Sequence, residues 1–197
     1  NVVLCGVRAD VIAIQGRTQI VVRAGAGTPG IGDAGVYSTS YGTTVRSNAF
    51  TYNPAITVSA GPHGTAMPNG PVELAYGGNT GVVVTADTYY HIGCLSTNGV
   101  NAEVAAGLYA YTSLWFSVTA AGTLAVTFAE NLATNLTPQW WLATNGWTGD
   151  FDAAATNDVD GDGVPAWLEY RADTIPTDKS SVLRITNIVW ESGNHWV

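Results

Sequence analysis

Thr123-Leu-Ala-Val-Thr-Phe128 puts Leu124, Val126 and Phe128 on one face of an extended chain. Alternation of this kind marks a strand with one face in a core. The same rhythm runs upstream. Val72, Leu74 and Tyr76 alternate in Pro71-Val-Glu-Leu-Ala-Tyr-Gly-Gly78, preceded by Ile56-Thr-Val-Ser-Ala-Gly-Pro-His-Gly64. Gly81-Val-Val-Val-Thr-Ala-Asp87, Tyr89-Tyr-His-Ile92 and a longer run over Leu108–Val118 follow. Closer to the start, Val2-Val-Leu4, Val11-Ile-Ala-Ile14, Gln19-Ile-Val-Val22, Gly35–Tyr41 and Asn48–Tyr52 read as strands. The turn cluster Ala24-Gly-Ala-Gly-Thr-Pro-Gly30 interrupts them. These short β-branched runs between turn residues predict a mainly β fold.

Composition supports a compact secreted or cell-surface protein. The 197 residues carry a formal charge of −8, with 46% hydrophobic and only 11% charged residues. A soluble domain usually has about a quarter charged residues, so Thr, Ser, Asn and Gly must cover much of the surface. An acidic chain whose one lysine is Lys179 is a poor partner for nucleic acid or an anionic membrane. No apolar run reaches membrane-spanning length, so membrane insertion is not expected. The chain opens at Asn1 inside a strand, as a processed or partial piece would. Cys5 and Cys94 leave two readings, a disulfide in an oxidising compartment or two separate buried thiols.

Asp158-Val-Asp-Gly-Asp-Gly-Val-Pro-Ala-Trp-Leu-Glu169 carries the chemistry. Acidic residues occupy the first, third, fifth and twelfth positions of a loop and glycine the sixth, the spacing of an EF-hand-type calcium loop. Carboxylates on alternate residues of a tight loop can turn inward together. Asp158, Asp160 and Asp162 are therefore candidate Ca2+ ligands, with the backbone carbonyl of Val164 and a bidentate Glu169 completing the sphere. Gly163 supplies the sharp turn, and Pro165 suits the first turn of a following helix. Magnesium, which keeps its waters and demands a smaller octahedral site, fits less well. Ahead of the loop, Thr137 and Pro138 predict the start of a helix over Gln139-Trp-Trp-Leu142 that Gly146 ends. Phe151–Ala155 predicts another short helical turn, with Asp150 and Asp152 as capping residues.

Three resemblances organise the chain. Tyr37-Ser-Thr-Ser-Tyr-Gly-Thr-Thr-Val-Arg-Ser-Asn-Ala-Phe-Thr-Tyr52 resembles the closing half of an IPT/TIG immunoglobulin-like domain. That implies an incomplete Ig-like sandwich over 1–54, lacking its first two strands. Ala60–Gly64, Tyr76–Gly78, Asp87–Ile92 and Val126–Ala129 match the landmarks of the divergent internalin B-repeat, which implies a compact β-repeat module over 55–130. Residues 131–180 resemble a thrombospondin type 3-like calcium linker. The family's usual Ala-Gly-Thr-Asp-Pro-Thr is replaced here by Ala172-Asp-Thr-Ile-Pro-Thr-Asp178, which displaces an acidic residue, so a second calcium ligand from this stretch is not expected. Residues 181–197 read as an orphan strand, Ser181–Trp190, a turn and the start of a returning strand at His195.

Enzymatic motifs are absent. The sequence holds no Gly-x-Ser-x-Gly elbow and no phosphate loop, and His63, His91 and His195 lack acidic partners at ligand spacing. Asn135-Leu-Thr137 is a glycosylation sequon followed by Pro138. Modules of bacterial surface proteins with complementary ends imply an extracellular structural protein. It would be a subunit or repeat of a calcium-stiffened filament or stalk, joined head-to-tail to copies of itself by strand complementation. The alternative is a carbohydrate-binding, adhesive accessory region of a secreted enzyme, with glycans as partners. Trp140, Trp141, Trp147 and Trp167 would then be either a sugar-stacking platform or a miniature core.

Overall fold

The computed structural model describes residues 1–16, 18–102 and 108–184. The chain is mainly β, with three short α-helices among the described residues, and it divides into two compact units, Asn1–Ala129 and Glu130–Val197.

The first unit begins with one antiparallel sheet. Its strands are β1 (Val2–Leu4), β2 (Val7–Gln15), β3 (Gln19–Arg23), β4 (Gly30–Ser38) and β5 (Gly42–Tyr52), in the spatial order β3-β2-β1-β4-β5. Register sets the faces. Val2 lies opposite Ala9 and Val36, Leu4 opposite Val7 and Ala34, and Val11 opposite Val22. Residues directly opposite share a face, so these side chains form one apolar surface. Only Val2, Leu4 and Ala9 are buried on it, packed by Val22, Ala34 and Phe50. The Ala24–Pro29 connection folds against part of the sheet, and the Tyr52 hydroxyl donates to the Gly25 carbonyl at 2.9 Å. Among the described residues this segment contributes a single layer.

The rest of the first unit is a two-sheet sandwich. One sheet holds β6 (Ala55–Ala60), β8 (Gly70–Glu73), β10 (Tyr90–Thr97), β11 (Val100–Ala102) and β13 (Gly122–Glu130), in the order β11-β10-β13-β6-β8. The other holds β7 (Gly64–Met67), β9 (Gly78–Ala86) and β12 (Ala110–Val118), in the order β12-β9-β7. Ile56, Val58, Ile92, Leu95, Leu124 and Val126 from the first sheet meet Ala66, Val82, Val84 and Val118 from the second in one core. Leu124 and Val126 are buried and Phe128 packs beside them, as their alternation predicts. Tyr76 falls beyond the end of β8. The pair β6–β13 is parallel, with Gly122 opposite Ile56 and Val126 opposite Ala60. A parallel pair needs a long crossover, and here the intervening chain builds the whole second sheet.

The second unit contains α1 (Gln139–Thr144), α2 (Phe151–Thr156) and α3 (Ala166–Ala172). Ala133, Leu142, Ala154, Ala155 and Ala166 make its core, flanked by Trp141, Trp147, Phe151 and Trp167. Asp150 caps α2, its carboxylate accepting from the Ala153 N–H at 3.0 Å. Asp152 instead binds Thr134, accepting from its N–H at 2.7 Å and its hydroxyl at 2.9 Å. Thr137 does not cap α1. Its side chain is buried and its hydroxyl donates back to the Thr134 carbonyl at 2.9 Å, while Pro138 takes the capping position. The hydroxyl closes the preceding turn because the extended backbone of Pro138 separates it from the helix. No helix among the described residues is long and apolar enough to cross a membrane. Residues 181–184 form no strand, and the strand, turn and His195 predicted for the remainder of the tail lie outside the described residues.

Truncation in the sandwich core should be felt strongly and truncation on its outer face should not. Leu124→Ala should cost about 2–5 kcal/mol. Leu114→Thr, at 61% exposure, should stay within about 0.5 kcal/mol. Urea unfolding of both variants beside the parent chain checks the contrast.

Candidate metal centre

The stretch from Asp158 to Glu169 leaves α2 behind, loops as far as Pro165 and ends in the first turn of α3, in the second unit. Its aspartates are held by the backbone they interrupt. Asp158 accepts from Gly161 N–H and Gly163 N–H, each at 2.9 Å. Asp160 accepts from Asp162 N–H at 3.1 Å, and Asp162 from Val164 N–H at 2.7 Å. Side-chain-to-backbone turns of this kind curl the chain around its own carboxylates. Gly163, at φ +93°, supplies a left-handed conformation that side chains resist.

That curl gathers one oxygen from each aspartate within 4.8 Å of the others. Oxygens bound to one ion at about 2.4 Å can lie at most about twice that distance apart, so the set fits a single hard cation. Glu169 is not one of that trio; it stands beside it in the first turn of α3, at 1% exposure, where the charges of all three aspartates reach it. The position is fixed on both sides of the residue. Glu169 N–H donates to the Pro165 carbonyl at 3.2 Å, and its own carbonyl takes the Thr174 N–H at 3.0 Å where left-handed Asp173 ends the helix. The Thr174 side chain also hydrogen-bonds the carboxylate. The sequence reading missed Thr174, which lies beyond the helix; no loop spacing points to it.

Three carboxylate oxygens, Asp160 Oδ2, Asp162 Oδ2 and Glu169 Oε1, are buried without a hydrogen-bond partner. Buried polar atoms are almost always partnered, and a buried charge is costly unless paired. Hard oxygen donors of this number and charge suit calcium. Val164 is half-buried at the seventh position, where only its carbonyl could serve. Ala166, at the ninth, is packed in the core and offers no side-chain ligand, which leaves that position to water.

Electrostatics point the same way. Burial, then the charges of Asp160, Asp162 and Asp158, push the Glu169 carboxyl from 4.5 up to about 7, against a smaller downward pull from Thr174. All the charges acting on Glu169 are negative. A bound dication would reverse their effect.

The other candidates are placed elsewhere. His63 stacks on Tyr90 with ring centroids 4.1 Å apart, and His91 is half-buried in β10. Cys5 and Cys94 are both half-buried free thiols. Trp141, Trp147 and Trp167 pack against the small core, and Trp140 donates Nε1–H to Glu130 at 2.9 Å. Asn135 is exposed, but the Thr137 of its sequon is buried. Comparison with known protein families, curated proteins and solved structures finds no match for the chain.

Without metal, stability should depend on pH with a defined sign. The folded pKa of Glu169 lies above its unfolded value, so folding favours the neutral acid. The fold is then most stable below about 4.5 and weakens as pH rises through about 7. The full shift corresponds to about 3 kcal/mol. Urea unfolding in chelator should show this slope, and Glu169→Gln should flatten it. Added calcium should raise Tm more at pH 8 than at pH 5, with Asp160→Ala and Glu169→Gln abolishing the gain.

Proposed function

We propose that the chain is an extracellular structural protein whose bound calcium locks a short helical linker. The ion is held by Asp158, Asp160, Asp162, Glu169 and the Val164 carbonyl. The observation that carries this reading is the gathering of the Asp158, Asp160 and Asp162 carboxylates within 4.8 Å, with buried, unpartnered oxygens on Asp160, Asp162 and the neighbouring Glu169. The role assigned is mechanical. Calcium turns a self-repelling loop into a rigid joint, and no covalent chemistry is asked of it.

In the same proposal, 1–54 is an incomplete Ig-like layer, 55–130 a B-repeat-like module and 131–180 a thrombospondin type 3-like linker. Copies join head-to-tail into a filament or stalk. What supports assembly is the open part of the first sheet. Val11, Ile14, Ile20 and Val36 lie around one hollow and are each at least 37% exposed. Among the described residues the end strands β3 and β5 each have one neighbour, so each can accept a further strand. A donor strand from another copy would cover that apolar surface, and a contact between different surfaces extends without closing.

Sedimentation velocity across a concentration series tests the assembly. In calcium the mass should grow with concentration, and in chelator it should fall. Ile14→Lys should block growth without lowering Tm. A monomer at every concentration in both buffers would overturn it.

A further inference from the structure

A groove of about 440 Å³ runs along α2 in the second unit, lined by Trp147, Thr148, Asp150, Ala153, Thr156 and Asn157. We propose that this groove binds a neutral saccharide, with its apolar ring face against the Trp147 indole and its hydroxyls on Asp150 and Asn157. The inference uses the second unit alone and does not rest on the assembly reading.

The lining has the mixed character that carbohydrate requires. A sugar ring presents C–H groups on its faces and hydroxyls at its rim, so its site pairs an aromatic surface with a few fixed polar groups. Trp147 packs one side against the core of the unit and still lines the groove. Asp150 spends one oxygen on the Ala153 N–H, which holds the carboxylate in place. Its other oxygen makes no hydrogen bond among the described residues, and it can accept from a hydroxyl. Asn157 supplies an exposed amide, which both donates and accepts.

The backbone under these groups is tied down. Trp147 N–H donates to the Leu142 carbonyl at 3.2 Å, Asn157 N–H to the Ala154 carbonyl at 3.2 Å, and the Asn157 carbonyl takes the Ala166 N–H at 3.0 Å. Groups fixed before binding lose little freedom on binding. Thr156 differs, since its hydroxyl is turned inward to the Asp152 and Ala153 carbonyls at 3.3 and 3.1 Å. Charge narrows the ligand class. Among the described residues no lysine or arginine lines the groove and one carboxylate does, so an anionic ligand would meet repulsion where a neutral one meets an acceptor.

Affinity electrophoresis of the whole chain in calcium tests this. The gels carry hydroxyethylcellulose, xylan, glucomannan or galactan, with alginate as the anionic control. Retardation by at least one neutral polymer and not by alginate is expected. Trp147→Phe, which keeps an aromatic ring in the core, and Asn157→Ala should each weaken retardation about tenfold with Tm unchanged. Trp140→Ala, outside the groove, should not weaken it. No retardation by any neutral polymer, retardation by alginate alone, or retardation that survives both groove variants would overturn the proposal. Because the calcium-dependent rise in Tm is measured separately, failure here leaves the metal centre standing, and the reverse also holds.

Discussion

Mutual repulsion among Asp158, Asp160, Asp162 and Glu169 is the constraint around which the second unit is built. Glu169 sits at 1% exposure among three other carboxylates, with one oxygen unpartnered. A unit of this size gains little from burial. Its core is one leucine and four alanines, rimmed by aromatics, and small domains of that kind are usually stapled by disulfides or metal. A disulfide is not at hand, because Cys5 and Cys94 both belong to the first unit. A cation would be the remaining staple under the proposed reading, since the carboxylates that repel one another are also hard oxygen donors. Cost and affinity here are two readings of one charge cluster.

The first unit solves a different problem. In the sandwich, two sheets share one core and their alternation is satisfied on both sides. Val82 and Val84 are fully buried, while Val83 between them is 49% exposed. The leading sheet has the same alternation but one layer among the described residues. Its apolar face is covered over β1 by close neighbours and left open towards β3, where Ile14 reaches 71% exposure. Exposed apolar patches of this kind mark contact surfaces, and they give the assembly reading its physical basis.

Strand positions were legible because burial on one face writes itself into the sequence with period two. Val2–Leu4, Gly81–Asp87 and Thr123–Phe128 all fall where alternation or β-branched runs put them. Pairing was not legible. Ile56 meets Gly122 in a parallel ladder, and nothing local in either segment names its distant neighbour. Thr137 shows a second limit. A hydroxyl ahead of a helix can cap it or close the turn before it, and the choice depends on backbone angles that the residue type does not set. The gathering of Asp158, Asp160 and Asp162 was the most legible part of the candidate site, since alternate residues of a tight loop can turn inward together. Thr174 was not legible, because it reaches Glu169 only after the helix has ended in the left-handed turn at Asp173.

The loop is also not free to open alone. Asn157, just before it, offers its carbonyl to Ala166, just inside α3, at 3.0 Å, and Ala166 is fully buried with Ala154 and Ala155 of α2. Spreading the carboxylates apart would therefore strain this hydrogen bond and pull a methyl out of the core. Closing them around an ion would hold both in place. Because the buried contact between α2 and α3 is made by small alanines, with Phe151 and Trp167 packed around it, displacement at the loop passes into the packing of the two helices. Were an ion bound, that coupling would make its binding and the packing of α2 on α3 a single equilibrium.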